Sequence, residues 1–150
     1  MSQAKLFGAI ADKLRQDTGV GGLVELTGHT ASDIRIARGN ILTERKNPFL
    51  SIGIEASSPV ISEGGAQTQR AVIKFSAYAA KDIDCLRLAD RMEELLLFYG
   101  RNNREYYDFS NDEICNQSTK FQKRMRRVYD EDCDTWMCSV LASITWVIKS

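Results

Sequence analysis

One histidine, four cysteines and two runs of like charge are the residues of this 150-residue chain whose types and spacing bear on chemistry. His29 sits in the Gly/Thr-rich stretch GVGGLVELTGHTASD with no nucleophile or acid at an informative spacing, so it reads as a solvated surface residue and not a general base. Cys115, Cys133 and Cys138 with His29 make the sharpest zinc hypothesis, yet their spacing matches no ribbon or finger. Cys85 falls inside an amphipathic helix pattern and Cys138 inside a strand pattern, places where free buried thiols are common, so the cysteines are expected to be reduced and structural. The glycines of GVGGLVELTG lack the preceding strand and long following helix that a phosphate loop requires. No GxxxxGK[ST], GxSxG, HExxH or CxxC occurs. An enzyme of this size needs a nucleophile-base pair or a metal shell, so no catalytic, cofactor or metal residue is assigned and the chain is read as a non-enzyme.

The charge runs are more informative. KFQKRMRRVY (120–129) places Lys120, Lys123, Arg124, Arg126 and Arg127 beside Phe121 and Tyr129, and Asp130, Glu131, Asp132 and Asp134 follow at once. Basic-plus-aromatic composition fits nucleic acid. Against that, Lys plus Arg equal Asp plus Glu at 20 each, so no overall field draws a polyanion, and strand alternation splits the cations between two faces. The other readings are pairing across a hairpin, worth at most about 0–1 kcal/mol per exposed pair, and complementarity between identical copies.

These residues must be held by one domain, since 150 residues are too few for two ordinary domains and a linker. Leu6, Phe7, Ile10 and Leu14 predict a first helix that ends by Gly19, and Leu23-Val24 predict one helical turn. Strands are expected at 34–38, at 48–56 behind Pro48, and at 70–80. Between the last two, 57–69 with Gly64-Gly65 reads as a long loop, and long loops in a compact domain are usually functional or mobile. DIDCLRLADRMEELLLFYG predicts the clearest helix, capped by Asp82 or Asp84 and stopped by Gly100, with Cys85, Leu88, Ala89, Met92, Leu95, Leu96 and Tyr99 as its apolar stripe. The polar segment 101–119 reads as an irregular excursion anchored by Tyr106, Tyr107, Phe109 and Ile114.

The chain then closes as strand, acidic turn and long strand. Trp136, Cys138, Val140, Ala142, Ile144, Trp146 and Ile148 share one face at period two, so the hydrophobic ending is a sheet strand whose Trp-bearing face needs cover. Burying each large side chain is worth roughly 1.5–3 kcal/mol, so truncation there is expected to unfold the domain. The fold class expected is α+β: a mainly antiparallel sheet of about four to five strands with two main helices packed on one face. The start, MSQAKLFGAIADKLRQD, is broken by charges and has neither a signal-peptide core nor the roughly 20 apolar residues of a span, so no membrane role is expected.

The amphipathic first helix, PFLSIGIEA, TQRAVIKFSAYAA leading into DIDCLRLADRMEELL, and the ending RRVYDEDCDTWMCSVLASITW together resemble the tail-terminator (minor tail protein U-like) proteins of long-tailed bacteriophages. The resemblance spans most of the chain, and its most telling part is the acid-rich turn followed by Trp136 and a long terminal strand. It implies an α+β subunit that assembles as a hexameric ring in the virion tail or neck after assembly in the host bacterial cytoplasm. The ring would cap the finished tail tube, stop polymerisation and face the head-side connector or adaptor. Its partners would be itself, the tail tube protein and that connector, with DNA only as passing cargo, and no cofactor. A ring built head to tail needs two complementary surfaces on each subunit. Arg124, Arg126, Arg127, Asp130, Glu131 and Asp132 are the candidates for them, with Tyr106 and Tyr107 as apolar anchors. A head-completion adaptor on the portal side, or a small nucleic-acid-binding domain using 120–127, is the alternative.

Overall fold

The computed structural model describes residues 2–27, 36–38, 48–61, 67–97, 107–132 and 134–149. In α1 (Ser2–Arg15) the residues Leu6, Ala9, Ile10 and Leu14 recur at three-to-four spacing and all are buried. Lys13 and Arg15 occupy the last turn, where the carbonyl end of a helix favours cations. A tight corner leads into α2 (Leu23–Thr27), the helical turn expected around Leu23-Val24. Asp17 organises that corner, its Oδ2 accepting a 2.8 Å hydrogen bond from the Leu23 N–H. Gly22 fits because a Cβ there would lie 2.6 Å from the Asp17 carbonyl oxygen and 2.9 Å from that of Gly19.

Strands β1 (Ile36–Arg38), β2 (Phe49–Ile61) and β3 (Gln67–Ala79) precede α3 (Asp82–Leu96), and β4 (Ile114–Arg124), β5 (Val128–Asp130) and β6 (Thr135–Ile148) follow it. They form one six-stranded sheet in the order β1-β2-β3-β6-β4, with β5 pairing β6 beyond the end of β4. All pairings are antiparallel except that of β1 with β2. The α+β class and the mainly antiparallel sheet match the sequence expectation, while the strand count exceeds it. Leu6, Ile10 and Leu14 of α1, and Cys85, Leu88, Ala89, Met92, Leu95 and Leu96 of α3, join one core with Ile73, Phe75 and Ala77 of β3 and Val140, Ile144 and Trp146 of β6. Among the described residues no helix is long and apolar enough to cross a membrane.

Three expectations need correction. The stretch 57–69 is not a long loop: β2 continues to Ile61 and β3 starts at Gln67, with pairs from Ser57↔Ala71 to Ile61↔Gln67. Ser57, Ser58 and Pro59 disguised the strand. Pro59 is tolerated because β1 pairs only Leu50–Ile52 among the described residues, leaving β2 an edge farther along. Second, 114–119 is strand, because Asn116 satisfies the polar residues that made it look irregular. Its Nδ2 donates to the Ser118 and Thr145 carbonyls (2.9 and 3.0 Å), and its Oδ1 accepts from the Phe109 N–H and the Thr119 hydroxyl (both 2.9 Å). Third, neither Asp82 nor Asp84 caps α3. The N-cap is Lys81 with no side-chain cap, and both acids sit in the first turn. Tyr99 and Gly100 lie outside the described residues.

Candidate assembly interface

The basic run is divided by the fold. Arg124 reaches α3, where its guanidinium donates to Asp90 and, at 3.4 Å, to Glu93. Burial alone would lower its pKa, but the hydrogen bonds to Asp90 and Cys138 and the attraction of those groups together outweigh it and raise it. Arg127 binds Asp82 at 2.9 Å and lies over the Trp136 ring, 5.6 Å from its centroid. Among the described residues, the ion pairs of both arginines run to α3. Arg126 is exposed. The run's three arginines thus split into two that fasten the sheet to α3 and one that faces solvent.

On the acidic side, the turn between β5 and β6 is kept tight by the Asp132 N–H donating to Asp130 Oδ1 at 3.0 Å, by a Tyr129 hydroxyl bond to Asp134, and by the left-handed backbone of Asp134 (φ 50°). Glu131, Asp132 and Asp134 are exposed and Asp130 is half-buried. Beside the turn, Val128 is 52 % exposed, Tyr129 39 % and Met125 38 %, an apolar fringe on an otherwise charged edge.

Of the aromatic anchors expected at an interface, Phe109 is wholly buried in the core, with its ring 6.3 Å from that of Phe75. Tyr107 is half-buried, edge-on to Phe109 at 5.0 Å and covered by Lys13 at 5.3 Å. Burial pushes its phenol pKa up. Tyr106 lies outside the described residues, as do His29 and Cys133. Cys85, Cys115 and Cys138 are free thiols, and burial pushes the Cys85 thiol up to about 12. Among the described residues no group of three or more His, Cys, Asp or Glu is placed to hold a metal. A shallow cleft of about 530 Å³ between α1 and the turn before β4 is lined by Asp12, Arg15, Gln16, Ser110, Asn111, Asp112 and Glu113. It joins no nucleophile to a base.

The register also builds a face that the linear sequence conceals, buried at Phe49, Tyr78, Ser51, Ser76 and Ser139 and exposed at Arg70, Lys120 and Lys123. Strand residues of the parity opposite to the core line up in rows across the sheet. Phe49, Tyr78, Met137 and Val128 form one row, and Ser51, Ser76 and Ser139 the next, with the Ser76 and Ser139 hydroxyls hydrogen-bonded at 2.8 Å. Lys74, Leu141 and Lys123 form the third row, Val72, Ser143 and Lys120 the fourth, and Arg70, Thr145 and Ser118 the fifth. Of two bulges in β4, the one between Phe121 and Lys123 puts Lys120 and Lys123 on the same face while turning Arg124 toward α3; the other lies between Asn116 and Ser118. Strict alternation would have set Lys120 and Lys123 on opposite faces. Alternation along β3 alone puts Arg70 and Lys74 on one face.

No protein-family model and no curated protein matches the chain. Solved structures do: a chain of the structure described as "Virion of native gene transfer agent (GTA) particle" superposes with a TM-score of 0.63 over 95 % of this chain and 94 % of that one, at 14 % sequence identity. At that identity the likeness is one of fold, shared from end to end.

Proposed function

We propose that the protein is a structural subunit of a phage-type virion that caps the tail tube as a ring, taken as a hexamer, ends tube polymerisation and offers the head-side connector a joining surface. The observation that supports this most is the full-length fold shared with a chain of a virion particle. The acidic turn followed by the Trp-bearing strand adds to it through the tail-terminator resemblance. On this reading the protein acts by geometry, without turnover or cofactor. Its partners are its own copies, the tail tube protein and the connector, with DNA as passing cargo. Arg126, Glu131 and Asp132 are its exposed charged contacts, with Asp130 half-buried in the same turn. Arg124, Arg127 and Tyr107 serve the same surface indirectly by holding α3 and the segment before β4 in place.

The test is deletion in the phage that encodes the protein. Tubes of uncontrolled length and heads without joined tails are the expected outcome by electron microscopy. Tails of normal length joined to heads would overturn the capping role, and tails of normal length left unjoined would favour the adaptor reading.

A further inference from the structure

The last three of the rows across the sheet carry four cations, Arg70, Lys74, Lys120 and Lys123. Arg70, Lys120 and Lys123 are exposed, and they form no ion pair among the described residues. Lys74, between them, meets the single carboxylate of this face among the described residues of β2, β3 and β4, Glu55 of the β2 bulge, at 3.6 Å. Adjacent strands are about 4.8 Å apart and alternate residues about 6.8 Å apart along a strand. Lys74 and Lys123 therefore stand about 10 Å apart across β6, with Lys120 one row on and Arg70 two. Between these cations lie short side chains, Ser143, Thr145 and Ser118, together with Val72 and Leu141. Leu141 is buried and the others are half-buried, so the exposed cations Arg70, Lys120 and Lys123 stand out from the band.

From this we infer that the acidic turn of one copy, Asp130, Glu131, Asp132 and Asp134, seats on the Arg70–Lys74–Lys120–Lys123 band of a second copy. The inference deepens the ring reading by naming its two complementary surfaces. Charge complementarity within one sequence identifies the occupant. The chain carries 20 cationic and 20 anionic side chains, and the turn that supplies exposed carboxylates belongs to the same subunit as the band that lacks them. A nucleic acid on the band would meet the acidic turn at the end of the same sheet, whereas a second copy uses both surfaces at once. Val128, Met125 and Tyr129 beside the turn supply apolar area to be covered in the contact. Because turn and band are different patches, the contact is heterologous and repeats from copy to copy, which closes a ring or grows a filament.

The experiment uses the full chain alone, so its outcome is separate from whether the protein caps tubes. Sedimentation velocity is run on the wild type, on Lys120→Glu/Lys123→Glu, on Glu131→Lys/Asp132→Lys, and on an equimolar mixture of the two variants, with thermal melts as a folding control. Each variant alone is expected to associate about tenfold or more weakly than the wild type, and the mixture to recover association, since swapped charges again meet their opposites. Wild-type association is expected to weaken from about 0.05 M to about 0.5 M NaCl. A wild type that stays monomeric at every concentration overturns the inference. So do folded variants that associate like the wild type, and mixing that restores nothing. Unchanged self-association together with loss of binding to a single-stranded oligonucleotide in Lys120→Glu/Lys123→Glu would reassign the band to nucleic acid.

Discussion

Asp17 is the most constrained charge in the described residues. Its side chain is only 9 % exposed and takes a bidentate grip from Arg91, Nε to Oδ2 at 2.8 Å and an Nη to Oδ1 at 2.6 Å, on top of the Leu23 N–H. Burial alone would raise its pKa, but the Arg91 hydrogen bonds and the Leu23 N–H overcome that and hold it below the ordinary value of 3.8. A depressed folded pKa stabilises the fold at pH above the unfolded value, and that contribution is lost as pH falls below 3.8 and through the folded pKa. Asp17→Asn should cost about 2–3 kcal/mol at neutral pH, because it leaves a partly buried guanidinium without its main counter-charge. A urea melt of the variant at pH 7 checks this, and the gap to wild type should narrow in the acid range below 3.8. The Cys85 thiol, buried, donating to the Ala77 carbonyl at 3.4 Å and pushed up to about 12, should stay unmodified by a disulfide reagent in the native state and react only on unfolding. Peptide mapping after brief labelling reads that directly.

Among the elements, the joint between α3 and the β4–β5 edge separates three arginines that look equivalent in sequence. Arg124→Glu would face Asp90 and Glu93, and Arg127→Glu would face Asp82 and lose the Trp136 ring, so each should lower stability by about 1–2 kcal/mol. Arg126→Glu should leave it within about 0.5 kcal/mol, as exposed substitutions do. Three melts decide it, and equal losses in all three would mean that Arg126 has a contact of its own. β6 is the element on which the sheet depends, since it pairs with β3, β4 and β5. Trp146, in its core row and 1 % exposed, is among the largest fully buried side chains. Trp146→Ala should cost about 3–5 kcal/mol by leaving a cavity under the helices, measured by the shift in denaturant midpoint.

Taken as a whole, the described residues expose an acidic turn with an apolar fringe and cations on one sheet face, and the chain carries no net charge. Such a particle has little long-range pull on polyanions and relies on short-range complementarity. Assembly should therefore be more salt-sensitive than folding. The wild-type melting temperature is expected to change little between low and moderate salt while the sedimenting species shifts toward the subunit. Parallel melting and sedimentation series make the comparison, and a melting temperature that falls in step with association would show that the subunit is stable only within its assembly.

Much of this was legible in the residues. Period-two alternation from Trp136 to Trp146 marked β6, and three-to-four spacing marked α1 and α3, because a buried face imposes its period on the sequence that makes it. What the sequence left hidden has one physical origin: hydrogen bonding and register are settled between strands, not along one. Polar 114–119 became strand because Asn116 found four partners, and 57–61 because β3 lay alongside. The β4 bulge between Phe121 and Lys123 then shifted the parity, sending Arg124 to the acids of α3 and setting Lys120 and Lys123 together on the other face. Composition determined that the charges balance; only the tertiary structure decided which of them are paired within the subunit and which stand exposed, because pairing depends on residues brought together from different strands and helices.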